Sequence, residues 1–161
     1  AFTIRYPRGE GMMPQWRTPF EKLEIGKGRK VKDGEDVAIL TIGHIGNYAV
    51  KSCQLLENAG ISAAHYDLRF VKPLDEELLH EVFQKFDKVI TVEDGCLQGG
   101  MGSAVLEFMA DHGYTAKLKR LGIPDRIVEH GEQIELHREC GFDPEGIAKT
   151  ARELVNMAVY S

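Results

Sequence analysis

Cysteine is scarce here: Cys53, Cys96 and Cys140 are widely spaced and odd in number. That excludes a disulfide framework and the paired spacing of a zinc module, and leaves reduced, mostly packing thiols in a cytoplasm as the expectation. No apolar run approaches the ~20 residues of a membrane span, and no signal-peptide pattern opens the sequence. Lysine and arginine form no long basic stripe, and a net charge of −5 argues against nucleic acid as a partner. A Gly-Lys-Ser/Thr phosphate loop is missing, as are a Gly-x-Ser-x-Gly elbow, an internal repeat and a low-complexity segment. What remains is ordinary soluble, globular material. The 161 residues, 43% of them apolar, amount to one domain with a proper core.

The elements alternate. Residues 12–22 carry Pro14 and Pro19 without a clear period and read as a linker, pinned to a surface by Trp16 and Phe20. Residues 24–31 read as a short strand before the turn at Asp33-Gly34. Val37 to Ile42 is a continuous apolar run, the mark of a strand buried on both faces of a parallel sheet. Ile45, Tyr48, Ala49, Ser52, Leu55, Leu56 and Ala59 then share one helical face, which Gly60 ends. A strand over 62–68, a helix opened by Pro73-Leu74-Asp75, a strand over 88–92, a helix over 103–111 and a strand over 116–121 follow. Asp143-Pro144-Glu145 caps a last helix with an apolar stripe through Ile147, Ala151 and Leu154. This order implies an α/β fold: a doubly wound, mostly parallel sheet sandwiched by helices.

Four places offer chemistry. Arg5-Tyr6-Pro7-Arg8-Gly9 sets two guanidiniums on a stiff turn, a pattern suited to phosphate or carboxylate. The loop from Glu93 to Ser103 follows a strand and opens a helix, where backbone N–H groups can hold an anion. It lacks the third glycine of a dinucleotide loop, since Val105 stands there, so close backbone packing or an interface is the expectation. Glu93 and Asp94 are adjacent and point to opposite sides of an extended chain, which makes them a poor acid–base pair. Glu93 is expected to be a buried carboxylate bonded to loop amides. His130 and His137 are seven positions apart, not a ligand spacing, so no metal site is expected from them. His44, just past the first buried strand, is placed where it could face a cleft, but a capping or surface role is the expectation.

The motifs in order resemble a known family. Arg5-Tyr6-Pro7-Arg8-Gly9, Gly26-Lys27-Gly28 and the run from Asp67 through Arg69 to Asp75 resemble the C-terminal part of the 1-deoxy-D-xylulose-5-phosphate synthases. Further matches are Thr91 to Asp94, Gly99-Gly100-Met101-Gly102-Ser103, Leu121 to Asp125 and Glu129-His130-Gly131. The Pro-Leu-Asp and Gly-Gly-x-Gly-Ser features are shared with the wider transketolase-like family. The sequence departs from the pattern at Gly43-His44-Ile45-Gly46-Asn47, where a small hydroxyl residue is expected near position 44.

The resemblance implies a domain plan. Residues 1–23 would be the last strand of a preceding domain plus linker, and 24–161 a transketolase-like C-terminal domain. It also implies a transferase, as the full-length protein. That enzyme uses thiamine diphosphate and Mg²⁺ to join pyruvate, less CO₂, to D-glyceraldehyde 3-phosphate, feeding isoprenoid, thiamine and pyridoxal synthesis. The family holds diphosphate and Mg²⁺ with a Gly-Asp-Gly…Asn motif in its first domain and activates the cofactor with a glutamate in its second. Neither region is in this sequence, so no catalytic, cofactor-binding or metal residue is expected on it, and the piece alone is expected to be inactive. By position, Arg8 would contact the substrate phosphate, with Arg5 supporting it from behind. Residues 2–6 would be a strand without its sheet. The expected partners are the two N-terminal domains of the same chain, a second copy in a homodimer and the small-molecule substrates, in the cytoplasm. Nothing is expected to be missing after Ser161. The competing readings are the C-terminal domain of a 2-oxo acid dehydrogenase beta subunit and a free-standing interaction module.

Overall fold

A computed structural model describes residues 19–156. Five strands form one sheet in the order β1-β3-β2-β4-β5. They are β1 (Arg29–Lys32), β2 (Val37–Thr41), β3 (Ala63–Asp67), β4 (Lys88–Cys96) and β5 (Lys117–Ile123). β3, β2, β4 and β5 run parallel, with Ile39 opposite His65 on one side and Ile90 on the other. β1 is antiparallel to β3 and closes that edge. The doubly wound, mostly parallel α/β architecture read from the alternation is the one observed.

The helices are α1 (Gly46–Glu57), α2 (Glu76–Lys85), α3 (Met101–Asp111), α4 (Gln133–Glu139) and α5 (Pro144–Asn156), with a 3₁₀ turn at Gly43–Ile45. They divide between two cores. Val37, Ile39, Ile90 and Val92 pack against α1 and α5, together with Phe142. Ala38, Leu40 and Val89 pack against α2 and α3. Alternate residues of β2 and β4 therefore serve opposite faces, as the period of a strand requires. Ser52 ties α1 to α5 by donating its hydroxyl to the Pro144 carbonyl at 2.9 Å.

The direction of winding changes between the middle strands. The connection after β2 runs through α1 to β3, whereas that after β4 runs through α3 to β5. α1 and α3 lie on opposite faces, so a crevice opens between the carboxyl ends of β2 and β4. In open α/β sheets that crevice is where ligands gather.

Several boundaries depart from expectation. The first strand is shorter than residues 24–31, because Gly26 takes a left-handed φ of 80° and turns the chain before Arg29. β4 runs on to Cys96, past the expected end at Val92, and pairs again there with Ile123. α3 starts two residues early, at Met101. Phe20 is 98% exposed and pins nothing within the described chain, since no apolar partner faces it. Trp16 and the strand expected over residues 2–6 lie outside the described residues.

Candidate functional site

Glu93 ends the buried part of β4 on the α3 face and is 6% exposed. Its carboxylate accepts from the backbone N–H of Met101 and of Gly102, each at 2.8 Å. These are first-turn amides of α3, which have no partner within the helix and carry its positive dipole end. The expected bonding of Glu93 to loop amides is observed. The loop is drawn so tight that a Cβ on Gly100 would lie 2.3 Å from both the Cys96 carbonyl oxygen and a Glu93 carboxylate oxygen. Arg120 holds the other side, donating to the Leu97 carbonyl at 2.7 Å and the Ser103 hydroxyl at 2.8 Å.

A resident carboxylate therefore sits where a phosphate would have to bind. Among the described residues this glycine-rich loop offers no cradle for a diphosphate, and the thiamine cofactor implied by the resemblance does not fit here.

Asp94, one residue on, points the opposite way, toward the crevice. Its Oδ2 lies 3.5 Å from Nε2 of His44, and its Oδ1 lies 3.8 Å from Nε2 of His137. His44 rides on the 3₁₀ turn after β2, and His137 on α4. The three ligand atoms fall within 4.8 Å of one another. His44 thus turns toward Asp94 instead of capping or standing free, because Gly43, with φ 72°, bends the chain back over the strand ends.

His137 is buried, and its Nδ1 lies 3.2 Å from the Tyr48 hydroxyl. Burial lowers the basicity of its ring, and Asp94 works in the opposite direction. Beside this trio lies a cleft of about 380 Å³ whose lining includes Asp94, His137, Cys140 and Phe142. Burial raises the Cys140 thiol above its ordinary value.

The sequence reading missed this grouping. It weighed His137 against His130, which is exposed on the loop before α4 and has no part in the trio. A signal was present, since Asp94 continues the series Ile90, Val92 onto the α1/α5 face. α4 gave none, having only seven residues, no side-chain cap and a histidine as its buried member.

At the neighbouring strand end, Arg69 is the one non-glycine with a left-handed φ, 57°, among the described residues. Asp67 steadies it, accepting from its backbone N–H at 3.2 Å. Deeper in, His65 and Thr41 meet at 2.8 Å between Nε2 and the hydroxyl, and the hydroxyl reaches the Tyr66 carbonyl. Burial pushes the His65 ring down to about 4. Arg5 and Arg8, the expected phosphate contacts, lie outside the described residues.

The family "Transketolase, C-terminal domain" matches residues 26–147. The 1-deoxy-D-xylulose-5-phosphate synthase of Cytophaga hutchinsonii is 70% identical over 153 residues, covering 95% of this chain and 24% of that protein. The synthase of Parabacteroides distasonis is 54% identical over 94% of this chain and again 24% of its own length. The chain thus spans about a quarter of the curated relatives it matches. Among solved structures, a "split gene transketolase, inactive beta4 tetramer" superposes with a TM-score of 0.78 at 29% identity, covering 89% of this chain and 46% of that one. A transketolase from Pichia stipitis shares the fold, with a TM-score of 0.61 at 20% identity over 82% of this chain and 18% of its own.

Proposed function

The chain belongs to the transketolase C-terminal domain family, and on that footing we propose that it is the C-terminal part of a 1-deoxy-D-xylulose-5-phosphate synthase. The full-length protein would convert pyruvate and D-glyceraldehyde 3-phosphate to 1-deoxy-D-xylulose 5-phosphate and CO₂. The observation that carries this reading is 70% identity to one such synthase over 95% of the chain. Thiamine diphosphate supplies the carbanion chemistry in that reaction, and with Mg²⁺ it would be held by residues outside this chain. The occupied amides of the Glu93 loop support placing it there.

This domain's own part is association and closure. It pairs with a second copy and covers the rim of a site built by the two preceding domains, in the cytoplasm, at the head of isoprenoid and thiamine synthesis. Residues 1–23 act as the last strand of the preceding domain and its linker. Arg8 holds the phosphate of the aldehyde substrate, and Arg5 supports it. An arginine–phosphate bond is charge-assisted and contributes about 1.5–3 kcal/mol, felt in binding of the aldehyde and not in that of pyruvate.

Steady-state kinetics of the full-length protein test both levels. Arg8→Ala is expected to raise KM for glyceraldehyde 3-phosphate about tenfold or more while leaving KM for pyruvate near wild type. Absence of deoxyxylulose phosphate from the wild-type reaction would remove the synthase reading. If Arg5→Ala carries the defect and Arg8→Ala does not, the phosphate contact moves to Arg5 and the enzyme stands.

A further inference from the structure

We propose that His44, Asp94 and His137 form a binding site for a divalent first-row transition ion of the Zn²⁺ class at the mouth of the strand-end crevice. The site is independent of the synthase reading and of any Mg²⁺ held elsewhere.

The geometry first excludes the plainer account. A hydrogen bond between imidazole N–H and carboxylate needs about 2.7–3.2 Å. The two contacts here are 3.5 and 3.8 Å. Nε2 of His44 is itself buried and has no hydrogen-bond partner among the described residues. Two nitrogens and a carboxylate thus face one another at separations too long for direct bonding. A cation between them resolves this. Metal–ligand bonds of about 2.0–2.2 Å place neighbouring donors of a tetrahedral site roughly 3.3–3.5 Å apart. The two histidine–carboxylate separations lie within about half an ångström of that spacing, each to its own oxygen of Asp94. The three donors as a set, within 4.8 Å of one another, close on an ion by side-chain rotation of roughly an ångström.

The surroundings suit a metal as well. Tyr48 sits at Nδ1 of His137, 3.2 Å away. A ring that donates its Nδ1–H there keeps the Nε2 lone pair for the ion, as outer partners of metal-bound histidines commonly arrange. Each donor comes from a different element, the 3₁₀ turn after β2, β4 and α4, so the fold sets their approach. Two imidazoles and one carboxylate select zinc, nickel, copper or iron over magnesium and calcium, which prefer oxygen. Asp94 and His137 line the cleft, so the remaining coordination positions open onto it and take water or a small anion.

The test is a Zn²⁺ titration of the intact, chelator-stripped protein in excess Mg²⁺, with a chromophoric chelator reporting free metal. Magnesium fills oxygen sites and leaves imidazoles free. One tightly held Zn²⁺ equivalent per chain is expected. His44→Ala and Asp94→Asn should each weaken it by more than about a hundredfold, and Tyr48→Phe by about tenfold, in the range of outer partners. His130→Ala should bind as wild type does. Should His137→Ala fail to fold, His44→Ala decides, since that side chain is partly exposed. Absence of a tight equivalent in wild type would overturn the site. Wild-type affinity in His44→Ala or Asp94→Asn would overturn it equally, assigning the metal to cysteines or to another place.

Discussion

His65 and Glu93 are both buried polar groups, yet they ask different things of their surroundings because their partners differ. His65 accepts burial as a neutral ring. Its folded-state value of about 4 lies below the 6.5 of an unconstrained histidine, with desolvation the leading cause. The unfolded chain therefore binds the extra proton between those values, and stability falls as pH drops through that window. The loss is about 3 kcal/mol, complete near pH 4 and absent above about 7. Urea denaturation at stepped pH should show it, and His65→Gln, which can still donate to Thr41, should flatten the curve. His137, lowered for the same reason, adds to the slope in the same direction. Glu93 has the opposite requirement, a charge answered by two helix amides. Glu93→Gln keeps the shape but brings an NH₂ donor against those N–H groups. It is expected to destabilise the protein by about 2 kcal/mol, measured as a shift in the urea midpoint at unchanged m-value.

At the scale of elements, α2 depends on a cap that reaches beyond its own helix. Asp75 accepts from Leu78 N–H at 3.2 Å and from Gly28 N–H at 2.9 Å, joining the helix start to the segment before β1. Asp75→Ala is expected to lower stability by about 2–3 kcal/mol, one part for the cap and one for the stranded Gly28 donor. Asp75→Asn, whose one amide oxygen can serve only one of the two donors, should recover no more than about half of it in the same denaturation assay. This cap was legible in Pro73-Leu74-Asp75, as the α5 cap was in Asp143-Pro144, where Asp143 accepts from Gly146 N–H at 2.9 Å. Buried strands such as β2 and β4 announce themselves through unbroken apolar runs, and the fold class follows from their alternation with helices. α4 does not, because its inward face rests on His137 and Leu136 while Ile134 stays exposed. With α4 unread, the meeting of His44, Asp94 and His137 was unreadable too. It depends on three segments far apart in sequence, and no local spacing encodes it.

The whole molecule is a two-core sandwich that spans about a quarter of its relatives' length. With the expected cofactor-holding motifs absent from its sequence, the 161-residue chain alone should release no CO₂ from pyruvate when thiamine diphosphate and Mg²⁺ are supplied, whereas the full-length protein should. Measurable release by the chain alone would mean that it carries catalytic groups of its own. One detail of the sheet bears on what the molecule as a whole can recognise. The carboxylate of Glu93 is tethered eight and nine residues from the α3 amides that it occupies. An anion held there by the chain competes at an effective concentration that no dissolved nucleotide or phosphate approaches. The helix end is in that sense permanently liganded by its own protein. Fluctuating levels of cellular phosphates should leave it untouched.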